Sequence, residues 1–157
     1  ITFLPSLLIS KNIEEYWWIF SQLKGFLIDN SDYYLFSLPV YPNKDIKTGE
    51  IKGIVEITYL ENKSCKDCSN VTELKDLFGS IGIYIAKEKY VDISSQEGKN
   101  LLAKYNITAI PTAILSKEIS DYTSIKKTLE QVGTFENKEY VLRKLDALKL
   151  KYQTIGG

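Results

Sequence analysis

Both cysteines of the 157-residue chain, Cys65 and Cys68, lie with two residues between them in the stretch ENKSCKDCSNVTELKDLF (61–78), and the chain contains no histidine and no methionine. Three chemistries suit such a pair. Zinc binding needs four ligands, and without a third Cys or any His only a site shared between chains would supply them. A structural disulfide between residues i and i+3 closes a very short loop, removes little entropy from the unfolded chain, and so makes a poor staple. The third chemistry is thiol–disulfide exchange. Val71, Leu74, Leu77 and Phe78 recur at helical spacing up to Gly79, which predicts a helix with the cysteines in its entry loop and first turn. Unsatisfied N–H groups and the helix dipole favour thiolate there. Cys65 is then the nucleophile and Cys68 the resolving thiol. Lys63 and Lys66 add positive charge nearby, and Asp67 opposes them.

The remaining composition restricts what else the chain does. Lys plus Arg and Asp plus Glu number 20 each, so a net charge of zero without basic runs gives no electrostatic footprint for nucleic acid. No apolar run reaches the roughly 18–20 residues that a membrane-spanning helix needs. The 44% apolar and 12% aromatic content is that of a globular chain. Absence of His removes the commonest general base and metal ligand, so no metal site is expected.

The elements that must position the cysteines follow in order. GIVEITYL (53–60) reads as a buried strand, and SIGIYIAKEKYVDI (80–93) offers further extended material. SSQEGKNLLAKYN (94–106) is predicted as a helix opened by a Ser94–Glu97 capping box and stopped at Asn106. ITAIPTAIL (107–115) is a strand entered through Pro111. A helix with Ile119, Tyr122, Ile125 and Leu129 on one face leads to two extended runs around an Asn137–Lys138 turn. The pattern is mixed α/β.

Part of this order occurs twice. ITFLPSLLISKNIEEYWWIFSQLKG (1–25) and ITAIPTAILSKEISDYTSIKKTLEQ (107–131) match without a gap at nine of 25 positions, among them Pro5/Pro111, Tyr16/Tyr122 and Leu23/Leu129. Unrelated segments would share about one or two, so the match marks an internal repeat of about 106 residues. Residues 53–157 hold a complete unit, and residues 1–52 match only the second half of one. This organisation, with a first residue that is not Met, predicts that residues 1–52 are the C-terminal half of a preceding unit. The strand FLPSLLIS is then expected to pair with a missing half-domain, with the complete domain, or with a second chain.

A strand, a Cys-x-x-Cys at a helix start, and VDISSQEGKNLLAKYNITAIPTAIL some 25–50 residues on together resemble the thioredoxin family over 53–157. The resemblance implies a central mixed sheet flanked by helices, preceded by a partial second thioredoxin-like unit. It further implies a cis bond at Pro111 set against the cysteines, an Ile110 backbone that hydrogen-bonds the substrate chain, protein thiols or disulfides as partners, and no cofactor. The chain departs from the family at Ser64, which stands where Trp is usual, and at Lys66–Asp67, which stand for Gly-Pro. Glu56 lies in the strand where the family keeps a buried acid, and the sequence leaves open which side of that strand it takes.

Two further features complete the reading. Asn62, Asn70 and Asn106 open N-x-S/T triplets, which arise often by chance in a chain rich in Asn, Ser and Thr; read as glycosylation sites, they favour an extracytoplasmic or secreted protein. Trp17 and Trp18 are about 100° apart on a helix, so at least one is expected to meet a surface other than its own core. The competing expectation to an oxidoreductase is an exported tandem binding or assembly module whose disulfide is passive.

Overall fold

The computed structural model describes residues 3–38 and 40–156 and is mixed α/β. It divides into two compact units, Ile1–Lys52 and Gly53–Gly157.

The second unit is built on a five-stranded sheet. Strand β7 (Val55–Glu61) lies near its centre, parallel to β8 (Ile85–Asp92) and antiparallel to β10 (Thr112–Leu115). Beyond β10 come β12 (Glu139–Leu142) and then β11 (Gly133–Glu136), both antiparallel to their neighbours. A parallel pair needs a crossover, and α2 (Val71–Ser80) supplies it. Residues alternate faces along β7, so Val55, Ile57 and Tyr59 fill one side of the sheet and Leu60 the other, all of them buried. Leu60 packs in a cluster with Tyr105, Ile107, Ile110, Ile114 and Val141, extended by Leu101 and Leu102 of α3 (Gln96–Lys104) and by Ile155. The α2 helix rests on β7 and β10 and buries Val71, Leu74 and Phe78.

Helix ends differ from the sequence reading in two places. The N-cap of α3 is Ser95, whose hydroxyl accepts the Gly98 N–H at 2.9 Å; Ser94, the expected cap, instead donates its N–H and hydroxyl to Asp92. A carboxylate two residues earlier outcompetes the helix end for that serine. The α2 helix begins only at Val71, because Asn70 accepts the Thr72 N–H at 2.9 Å and Glu73 reaches back to the Asn70 N–H at 3.0 Å. Between β11 and β12, Asn137 and Lys138 both take positive φ, 50° and 73°. This is the two-residue hairpin turn whose twist suits the flanking strands.

The first unit contains β1 (Phe3–Leu4), β2 (Leu8–Ser10), α1 (Trp17–Leu23), β3 (Leu27–Asp29), β4 (Tyr33–Phe36), β5 (Asn43–Asp45) and β6 (Ile51–Lys52). Its ladders repeat those of the second unit at an offset of 106 residues. Leu8 faces Leu35 as Ile114 faces Val141, and Leu27 faces Phe36 as Gly133 faces Leu142. The 3-10 turn Lys11–Glu15 corresponds likewise to Lys117–Asp121. One partner differs. β10 is paired on both sides, by β12 and β7, whereas among the described residues β2 pairs only with β4. Tyr34 is the sole buried apolar side chain described in this unit, and Leu8, Trp17 and Trp18 are 49%, 72% and 58% exposed. Both tryptophans thus face away from any core of their own unit.

Candidate redox site

The loop between β7 and α2 carries the cysteines and is held from two sides. Asn62 organises its entry: its side-chain oxygen accepts from the Ser64 N–H at 3.0 Å and the Ser64 hydroxyl at 2.6 Å, and its carbonyl accepts the Cys65 N–H at 2.9 Å. Asp92, at the end of the neighbouring β8, accepts the Lys63 N–H at 3.0 Å. Hydrogen bonds from the Ser94 hydroxyl and from the Lys63 and Ser94 amides stabilise the ionised carboxylate and push its pKa down to about 2. On the exit side Ser69 donates its hydroxyl to Glu73 at 3.0 Å.

Cys65 and Cys68 form a disulfide with Cα atoms 5.6 Å apart, and both residues are half-buried. A cavity of about 200 Å³ opens beside the sulfurs, between Glu61–Lys63, Ser69–Val71 and Pro111. The Ile110–Pro111 bond is cis. Cys68 Sγ lies 3.9 Å from the Ile110 carbonyl oxygen. The structure therefore brings Cys65, Cys68, Ile110 and Pro111 to one place, from two segments more than 40 residues apart in sequence. Leu4–Pro5, the repeat equivalent of Ile110–Pro111, is also cis, in a unit without cysteines.

One expectation for this site is corrected, and the structure gives the environment of Glu56, which the sequence left open. The cysteines are not in the first turn of α2: Cys68 precedes Val71 by three residues and Cys65 by six. The positive end of a helix dipole fades over about one turn, and here Asn70 and Glu73 already take it up. Neither sulfur gains from it. Glu56 is exposed, with a side-chain exposure of 61% and Lys87 at 3.8 Å; it shares a face of β7 with Leu60 but lies near the start of the strand, outside the cluster that buries Leu60. Among the described residues no Asp or Glu is buried, and none joins others in a group that could hold a metal ion. No helix among them is long and apolar enough to cross a membrane.

A feature absent from the sequence reading lies against the same site. Strand β13 (Gln153–Thr154) pairs antiparallel with β9 (Ala109–Ile110), placing Gln153 opposite Ile110. Ser69 donates its N–H to the Lys151 carbonyl at 2.8 Å and accepts the Lys151 N–H on its hydroxyl at 3.1 Å. The Asn62 side chain donates to Gln153 Oε1 at 3.0 Å. Tyr152, Thr154 and Ile155 suit a strand, but the run is too short to declare one by itself, and its pairing is set by the backbone edge it meets at 109–110.

No family model matches this chain, and neither the curated proteins nor the solved structures contain a match.

Proposed function

We propose that the second unit is a thioredoxin-like domain and that the Cys65–Cys68 pair exchanges electrons with protein thiols and disulfides. The observation that carries this reading is the placement of a half-exposed disulfide, in a loop too short to staple much, at the mouth of a cavity walled by Pro111 and within 3.9 Å of the Ile110 carbonyl. The strand order, with β7 next to a parallel β8 and an antiparallel β10, supports the fold.

In the oxidised form a substrate thiolate attacks Cys65 Sγ, the Cys65–Cys68 bond breaks, and Cys68 leaves as a thiolate that takes a proton from solvent. A second substrate thiolate then attacks the substrate sulfur of the mixed disulfide and releases Cys65. Two electrons pass to the protein, and the substrate leaves as a disulfide. The reverse sequence, begun by the Cys65 thiolate, reduces a substrate disulfide. No Asp or Glu among the described residues is buried, so no buried carboxylate is assigned to carry the protons.

Turnover of insulin disulfides with a thiol reductant tests the reading: Cys65→Ser is expected to abolish it. Unchanged turnover in Cys65→Ser would remove the catalytic role. The alternative, a binding or assembly module with a passive disulfide, draws on the edge of β2 that no strand among the described residues pairs and on the exposed Leu8, Trp17 and Trp18. It predicts a Cys65→Ser, Cys68→Ser double variant that assembles normally.

A further inference from the structure

Residues 151–155 are bonded to both ends of the cysteine loop and to the strand that leads into Pro111. The Lys151 backbone is bonded to Ser69, next to Cys68; the Gln153 side chain is bonded to Asn62, which shapes the turn into Cys65; and the Ile155 N–H donates to the Thr108 carbonyl at 2.7 Å. In an antiparallel ladder hydrogen-bonded pairs alternate, so the Ile155–Thr108 bond makes Gln153–Ile110 the next pair that exchanges backbone bonds. Ile155 packs on the cluster containing Leu60, Ile107 and Ile110. The backbone edge nearest the sulfurs is already filled by the chain itself.

We infer that residues 151–155 are an internal occupant of a strand-binding groove beside the disulfide, and that an extended polypeptide reaches Cys65 and Cys68 by displacing them and pairing with Ala109–Ile110. Calling that polypeptide a substrate rests on the redox reading above; the groove as a strand-binding edge does not. The hold is weak by construction. The ladder is two residues long, no second strand among the described residues lies beside β13, and Lys151 to Thr154 are exposed. Two-stranded pairs of this kind are marginal in water. The first unit provides the contrast: there β5 covers β1 at the same point before Pro5, but β5 is itself backed by β6. The groove also states what an entering strand must offer. It needs backbone donors and acceptors along Ala109–Ile110, an acceptor facing the Asn62 amide, and an aliphatic side chain two positions later, where Ile155 now sits.

Native-state hydrogen exchange on the unaltered oxidised chain is the first test. The amides of Ile110 and Ile155 are expected to exchange by local opening at least about tenfold faster than the central amides of β7 and β10. Exchange at the rate of the central sheet would make the segment fixed architecture and overturn the inference. In a variant ending at Leu150, the synthetic peptide KYQTIGG is expected to bind saturably and to restore protection at Ile110. A folded variant that ignores the peptide also overturns the inference, and if the variant does not fold, the exchange measurement alone decides. Neither readout uses the sulfurs. An inert cysteine pair with peptide binding intact would refute the redox reading only, while rapid exchange with small thiols and no peptide binding would refute displacement only.

Discussion

Reduction of Cys65–Cys68 is expected to weaken the second unit by no more than about 2 kcal/mol and to leave α2 folded. The bond joins residues three apart and so closes a loop of four residues. Chain-entropy scaling assigns such a loop about 6 cal/mol/K, or about 2 kcal/mol at 25 °C. Against this, α2 keeps its own capping box through Asn70 and Glu73 and buries Val71, Leu74 and Phe78, each worth about 1.5–3 kcal/mol when fully buried. Neither bond of the capping box involves sulfur. Urea unfolding of the oxidised and reduced chains, followed by amide exchange over Val71–Ser80, measures the difference. The midpoint should fall by about 1–2 M. Tryptophan fluorescence is unsuitable, since Trp17 and Trp18 both lie in the first unit. The Cys65→Ser, Cys68→Ser variant should match the reduced protein. A loss above about 4 kcal/mol, or melting of α2 on reduction, would show that the disulfide is a staple after all, and the passive reading would gain the ground that exchange chemistry loses.

Three further outcomes are expected. Asp92 has a folded pKa of about 2 against an unfolded value of about 3.9, so its support of the cysteine loop is complete above about pH 4 and is lost as pH falls through about 2; carbon NMR titration of Asp92 with Lys63 amide exchange reads this, and an ordinary midpoint near 3.9 would contradict it. The Tyr59 hydroxyl is fully buried and finds no hydrogen-bond partner among the described residues, and burial raises its pKa, so Tyr59→Phe should stabilise the second unit by about 1 kcal/mol in urea unfolding; destabilisation of that size would reveal a partner the hydroxyl depends on. A Cβ on Gly98 would stand 2.3 Å from the Asp92 carbonyl oxygen and 2.7 Å from Ile93 Cα, both backbone, so Gly98→Ala should cost about 1–3 kcal/mol by urea unfolding; a neutral result would mean that α3 lifts from the end of β8 without strain.

Much of the second unit was legible because its signals are local and agree with one another. The β-branched run at 53–60 became β7, the Leu74–Phe78 spacing became α2, and Asn137–Lys138 became the hairpin turn. The repeat was legible because identity at a fixed offset needs no structural interpretation, and the ladders then follow it residue for residue. What escaped was competition between neighbours. Asn70 outbids the cysteine loop for the end of α2, and Asp92 takes Ser94 from α3. Gln153–Thr154 escaped for a different reason: its pairing is decided by the edge it meets, which lies more than 40 residues earlier.

The constant offset of 106 residues gives the molecule an internal reference. Adding that number to a position between Phe3 and Phe36 names its counterpart in the other unit, at the same temperature, pH and protein concentration and in the same sample. Leu4 and Ile110 are the most informative pair, since each precedes a cis proline and each lies under a covering strand, but only one has sulfur nearby. A change at Ile110 on adding a thiol, with Leu4 silent, is a response to sulfur chemistry; a change at both belongs to the solvent.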